Sequence, residues 1–143
     1  MSKLPEGYVT DVGFDPAEDH IGPFYYRIDR IDSAMGNNDY RCAFVASAKN
    51  TNVDGIVHGG VLMAFADFAL CLAATDHYHE ESCATVSFSS QFIVGAQLGD
   101  LIECTPKIVR KSGSLVFMSG ELVVLDKVVM TFNAVVKRLR SKP

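Results

Sequence analysis

With 143 residues, 48% hydrophobic and 21% charged, the chain can bury a sizeable core and lacks the composition of a disordered protein. A net charge of −4 without a basic cluster argues against nucleic acid as the main partner. The N-terminal stretch has no apolar segment of the signal-peptide type, and no run reaches the about 20 apolar residues that cross a bilayer. A cytoplasmic protein without a membrane partner is therefore expected, as one domain over residues 1–143 with residues 1–22 as an N-terminal extension. Cys42, Cys71, Cys83 and Cys104 are scattered without C-x-x-C spacing, which suits reduced core thiols.

Residues 1–22 read as loop, except that Asp15 followed by Pro16 has the form of an N-cap with proline at the first helical position. A short helical turn is expected there. Residues 24–31 and 40–48 read as strands parted by the turn residues Gly36-Asn37-Asn38-Asp39. Residues 61–74, VLMAFADFALCLAA, are rich in Ala, Leu, Met and Phe and contain no Pro, Gly or Asn, which predicts a helix. Being apolar almost all round, it belongs in the core. Residues 84–94 alternate, with Val86, Phe88, Phe92 and Val94 on one side and Thr85, Ser87, Ser89 and Gln91 on the other. One core face and one polar face are expected. Strands over 101–110, 114–124 and 128–139 follow, joined as hairpins by Lys111-Ser112-Gly113 and Leu125-Asp126-Lys127. Two strands, a central helix and four antiparallel strands describe an α+β fold with a sheet curled round one helix.

Asp67 is the only charged residue in the helical run, and burying an unpaired charge is expensive. Its same-face neighbours Met63, Ala64, Leu70 and Cys71 cannot neutralise it. Either a partner reaches it from elsewhere in the fold or the neutral acid is favoured. A purely structural carboxylate, satisfied by backbone or by Thr85, competes with a catalytic one. The helix is opened by His58-Gly59-Gly60, and free backbone N–H groups at a helix start can hold developing negative charge.

The stretch Asn52-Val53-Asp54-Gly55-Ile56-Val57-His58-Gly59-Gly60, with Asp67 nine positions after His58, closely resembles the hotdog-fold acyl-CoA thioesterases of the phenylacetate-pathway type. The resemblance extends to Thr85, where that family usually has Ser or Thr, and to the Leu98-Gly99-Asp100 turn, and covers the chain from about Phe24 onward. The spaced pattern N-x5-H-G-G-x6-D is fairly specific, whereas a bare H-G-G is weak. The resemblance implies a six-stranded antiparallel sheet wrapped around one long central helix, a homodimer with two interface sites, and commonly a homotetramer. It also implies that Asn52 and Thr85 orient water or the carboxylate.

The chemistry then expected is hydrolysis of an acyl-CoA, with a medium-chain or aryl acyl group, to free acid and coenzyme A. The Gly59 amide is the expected oxyanion donor, and Gly60 admits substrate close to the backbone. Asp67 serves as general base or as nucleophile. At about 1.5 Å per residue it lies some 12 Å along the helix from Gly59, so a two-fold partner is needed to bring both groups to one carbonyl. His58 either fixes the helix start or contacts the thioester. Phe65, Phe68 and Phe88 offer apolar walls, and Arg110-Lys111-Ser112-Gly113 is a basic turn for the coenzyme A phosphates or a plain solvated turn. Asn52 has a turn reading beside Asp54-Gly55, and Thr85 a reading as β-branched strand filler. The segment Asp19-His20-Ile21-Gly22-Pro23-Phe24 is a candidate cover for the site mouth.

No metal or cofactor beyond the coenzyme A of the substrate is expected, and His77-Tyr78-His79-Glu80-Glu81 reads as a solvated helix end rather than a ligand set. No G-x-S-x-G elbow is present, which argues against a serine hydrolase. One rival is a hydratase or dehydratase on acyl thioesters, which would need a histidine base at the acyl carbon. The other is a non-catalytic acyl-CoA-binding module, which has no use for Asp67.

Overall fold

The structure, a computed structural model, describes residues 4–31 and 37–140. Residues 1–3 of the extension and Gly36 of the expected turn lie outside the described residues. In chain order the elements are α1 (Pro16–Ile21), β1 (Tyr25–Arg30), β2 (Asp39–Val45), a 3-10 turn (Ala48–Asn50), α2 (Gly59–Ala74), β3 (Glu81–Phe92), β4 (Leu101–Cys104), β5 (Lys107–Ser112), β6 (Leu115–Val124) and β7 (Lys127–Arg140). None of the described helices is long and apolar enough to cross a membrane.

The long helix α2 forms where composition places it, starting at Gly59 with His58 as its N-cap. It packs on β2, β3, β5, β6 and β7, and its Ala66, Ala69 and Ala73 are buried with Phe65, Leu70 and Leu72. Small residues let the sheet close in, while the large ones fill the gap. Phe65 sits in an aromatic cluster, with ring centroids 4.7 Å from Phe44 and 5.2 Å from Phe24. Such pairs add about 0.5–1.5 kcal/mol each beyond area burial.

The sheet is antiparallel in the order β1-β2-β4-β6-β7-β3, with β5 pairing β6 off that path. Seven strands replace the six expected, because the run 101–110 breaks at Thr105-Pro106. Proline has no N–H for the ladder. The two pieces still follow one neighbour, Cys104 facing Leu122 and Lys107 facing Ser119 on β6. The curled sheet around a central helix is the hotdog arrangement.

At one edge of the sheet, β3 pairs with β7 alone among the described residues. Its register shifts between Thr85 and Ser87, leaving Val86 as the extra residue of a β-bulge. This corrects the simple alternation expected from sequence. Cys83 and Thr85 share the helix-facing side with Phe88 and Ser90, and Val86, expected in the core row, is 57% exposed.

The N-terminal segment is tied back onto the body. Val9 and Tyr26 exchange two backbone hydrogen bonds of 2.9 Å. The helical turn expected after Asp15 is α1: Asp15 Oδ1 accepts from the Glu18 amide at 3.1 Å, and α1 lies against α2.

Candidate active site

At the start of α2, the Gly60 amide donates to His58 Nδ1 at 3.0 Å, so the imidazole carries its proton on Nε2. A Cβ on Gly60 would come within 3.2 Å of that Nδ1, and one on Gly59 within 3.2 Å of the Phe92 ring. Both glycines therefore serve close approach. With the Gly60 N–H capped, the Gly59 N–H is the first amide of the helix with no protein acceptor among the described residues. The loop before it is held by Asn52, whose Oδ1 accepts from the Asp54 and Ile56 amides at 2.9 and 3.1 Å. Asn52 is thus a turn-forming residue in this chain, with its carboxamide oxygen already engaged.

Asp67 receives the partner that its own helix cannot provide. Thr85 Oγ1 donates to Asp67 Oδ1 at 2.5 Å, and Cys71 Sγ lies 3.8 Å from the same oxygen and 3.4 Å from Thr85 Oγ1. The bulge at Val86 is what turns Thr85 inward to make this bond. Both contacts fall on Oδ1, and Oδ2 has no hydrogen-bond partner among the described residues. Within one chain Gly59 and Asp67 remain about 12 Å apart along the helix axis.

Other expected site residues fall elsewhere. Phe65 is fully buried in the aromatic core, so it is not a wall of the substrate site. Phe68, one position past Asp67, is only partly buried and stands 5.5 Å from Phe24. Phe88 stacks on Phe132 at 5.9 Å. The basic turn is at the far end of α2: Lys111 Nζ donates to Asn37 Oδ1 at 2.5 Å, and Asn37 Nδ2 donates to the Ala73 carbonyl at 2.8 Å. That end is about 21 Å along the helix from Gly59. Burial and nearby Arg138 lower the Lys111 pKa. Arg110, Ser112 and Gly113 are exposed, and the Gly113 carbonyl accepts from Arg138 Nη2 at 2.6 Å.

Two groups near Asp67 were not singled out from sequence. Glu18 of α1 has its pKa pushed up to about 7, by burial first and then by the charges of Asp15, Asp67 and Asp19. The Cys71 thiol beside Asp67 is raised by its interaction with Cys83 and by burial, and the same interaction lowers Cys83. The acidic density of residues 11–19 was the only sequence signal for the first, and it does not say that α1 lies on α2. The expected solvated helix end at 77–81 is also engaged in part: His77 Nε2 lies 2.7 Å from Asp11 Oδ2 and 2.9 Å from the Tyr26 hydroxyl.

Residues 54–131, more than half of the chain, match the family model of the Thioesterase superfamily, and the chain belongs to that superfamily of thioester hydrolases. A Pseudomonas aeruginosa protein that carries an esterase name is 26% identical over 94% of this chain and 97% of its own length. Solved structures share the fold. A phenylacetic acid degradation-related protein from Ralstonia eutropha matches with a TM-score of 0.74 and 24% identity, covering 86% of this chain and 90% of that one. The E. coli PaaI protein gives 0.74 at 18% identity over 90% and 88%. A Streptococcus pneumoniae thioesterase solved with coenzyme A gives 0.69 at 15% identity over 82% and 88%.

Proposed function

We propose that the protein hydrolyses acyl-CoA, with a medium-chain or aryl acyl group, to the free acid and coenzyme A, at sites shared between two copies of the chain. The observation that carries this is the Asp67–Thr85 pair, set about 12 Å along α2 from the open Gly59 amide. Neither group reaches the other's substrate carbonyl within one chain, whereas a two-fold axis supplies both and makes two equivalent sites. The edge strand β3, with 12 residues and a single neighbour, offers the surface for that second copy. Support for coenzyme A as the thiol comes from the family and from the S. pneumoniae thioesterase solved with it.

The thioester carbonyl oxygen accepts from the Gly59 N–H of one protomer, where the helix dipole favours the developing oxyanion. Thr85 holds Oδ1 of the partner's Asp67, and Oδ2 either takes a proton from water or attacks the carbonyl carbon to give a mixed anhydride. The C–S bond breaks, the thiolate leaves and takes up a proton, and water completes the acid. Water is the only co-substrate. His58 is a poor base for hydratase chemistry because its Nδ1 is spent on the Gly60 amide. A binding module would need neither Asp67 nor the bulge that brings Thr85 to it.

Release of free thiol from a panel of aromatic and straight-chain acyl-CoAs tests this, with wild type and Asp67→Asn side by side. The substitution should cost at least about 10²-fold in turnover with the fold retained. Hydrolysis near the wild-type rate would overturn the assignment.

A further inference from the structure

We propose that Cys71 and Cys83 form an oxidation-sensitive pair: a hydroperoxide joins them as a disulfide, which draws Cys71 off the Asp67–Thr85 pair and stops hydrolysis. This rests on the hydrolase assignment and adds a modification site that would regulate it. All four cysteines are free thiols. They fall into two pairs with different surroundings. Cys42 and Cys104 stand opposite each other on β2 and β4, both sealed in the core. Cys71 lies on α2 and Cys83 on β3, beside the carboxylate, and Cys83 is half-buried.

The juxtaposition follows from how the two elements run. Residues 75–80 alone separate α2 from β3, and Thr85 bonds Asp67, so the strand turns back along the helix. From Asp67 to Cys71 is about 6 Å along α2 toward that link. From Thr85 to Cys83 is about 6.6 Å along β3 toward the same link, and two residues along a strand keep the same face. The two distances match, so Cys71 meets Cys83 as Asp67 meets Thr85. Across this ladder Cys71 Sγ lies 3.4 Å from Thr85 Oγ1 and 3.8 Å from Asp67 Oδ1. The contact between the thiols lowers Cys83 and, together with burial, raises Cys71.

The two thiols take different parts in the oxidation. Cys83, the more exposed and the more readily ionised, meets the oxidant, and the buried Cys71 resolves the product. With hydrogen peroxide, the Cys83 thiolate attacks one oxygen, the O–O bond breaks, and the leaving hydroxide takes up the thiol proton as water. Cys71 then attacks the sulfenic sulfur. The S–S bond forms, the S–O bond breaks, and hydroxide carries off the Cys71 proton as a second water. Two thiols lose two electrons, and one peroxide is reduced to two waters. A bond of about 2.05 Å requires the Cys71 sulfur to move toward Cys83. Cys71 then has no proton to offer Asp67 Oδ1 and leaves Thr85 Oγ1, the group that fixes the carboxylate. A dithiol restores both thiols by exchange. Cys42 and Cys104 do not compete, since burial shields both and raises both.

The experiment treats the full chain with hydrogen peroxide, desalts it, and follows acyl-CoA hydrolysis by loss of thioester absorbance before and after dithiothreitol. Wild type, Cys83→Ser and Cys83→Ala are compared, and peptide mass mapping of the same samples, alkylated without reduction, reads which cysteines are joined. Wild-type turnover should fall about 10²-fold, the scale of a misplacement of about 1 Å at a reacting group. The loss should appear with a peptide linking Cys71 to Cys83, and both should reverse with dithiothreitol. The two variants should keep basal turnover within about twofold and escape the reversible loss. Should a variant fold poorly, the wild type alone decides, because link and inhibition must rise and reverse together. Inhibition without that link, the link without inhibition, or variants inhibited like wild type would each overturn the proposal while leaving the hydrolase standing. No hydrolysis of any acyl-CoA by untreated wild type would overturn the hydrolase assignment and its regulation with it, and the mass map would still read whether the two thiols join.

Discussion

At the C-terminal end of α2 three carbonyls of the last turn find donors within the protein, while at its N-terminal end an amide is left open among the described residues. The Cys71 carbonyl accepts from the Thr75 amide and hydroxyl, Leu72 from the His77 amide, and Ala73 from the Asp76 amide and Asn37 Nδ2. Asp76 in turn accepts from the Tyr40 hydroxyl at 2.6 Å. At the other end His58 caps Gly60, and the Gly59 N–H has no protein partner among the described residues. Helix ends must satisfy their orphan groups somewhere. Here one end does so largely within the protein and anchors the fold, and the other leaves open the donor proposed above for the oxyanion.

The sharpest way to break this contrast is Gly59→Pro, which removes the open N–H at a position where proline suits the helix. The half-exposed Phe92 ring can shift to admit it. Turnover should fall about 10²–10³-fold with helicity retained by circular dichroism. An unchanged rate would place the oxyanion donor elsewhere.

The opposite end should respond in stability rather than rate. Asn37→Ala removes the amide that bonds Ala73 and the acceptor that holds Lys111, at a cost of about 1–3 kcal/mol in urea unfolding. The turnover of folded protein should change less than twofold, about the noise of such a comparison. A rate loss like that of Gly59→Pro would erase the distinction between the two ends.

The smallest effect is expected from Glu18→Gln, midway along the helix. Glu18 has its pKa pushed up to about 7 in the folded state, against about 4.3 for an unperturbed glutamate. Between those values the folded chain binds the proton that the unfolded chain has released, so stability falls as pH rises through this window. Glutamine removes that fall. Screened at a half-buried site, the gain at pH 8 should be about 1 kcal/mol, and it should vanish at pH 4. Parallel pH-stability curves for the two proteins would show that burial and the neighbouring carboxylates do not raise Glu18 in the folded state.

Much of the fold was legible because it is written in short-range patterns. The helix over 61–74 lies within α2, the turn after Asp15 is α1, and the strands fall within a few residues of their expected limits. The break in the run 101–110 could have been read from Pro106, which sits in its middle. The bulge at Val86 could not, because Val86 and Phe88 keep perfect alternation in the strand itself and the extra residue exists only relative to β7. Phe65 and Phe68 look equivalent on paper. Which of them is sealed into the core depends on where Phe24 and Phe44 arrive.

The sequence by itself determined the elements, the glycine-rich entry to the central helix and the lone carboxylate within it, because these rest on contacts a few residues apart. Only the tertiary structure decided that Thr85 turns inward to Asp67, that Lys111 braces the far end of the helix, and that Glu18 and Phe14 line one small cavity with Phe68. Those contacts join residues 18 to 74 positions apart. They depend on strand register and on how α1 and the curled sheet pack against α2, and a one-residue slip in register would reverse which face each side chain takes.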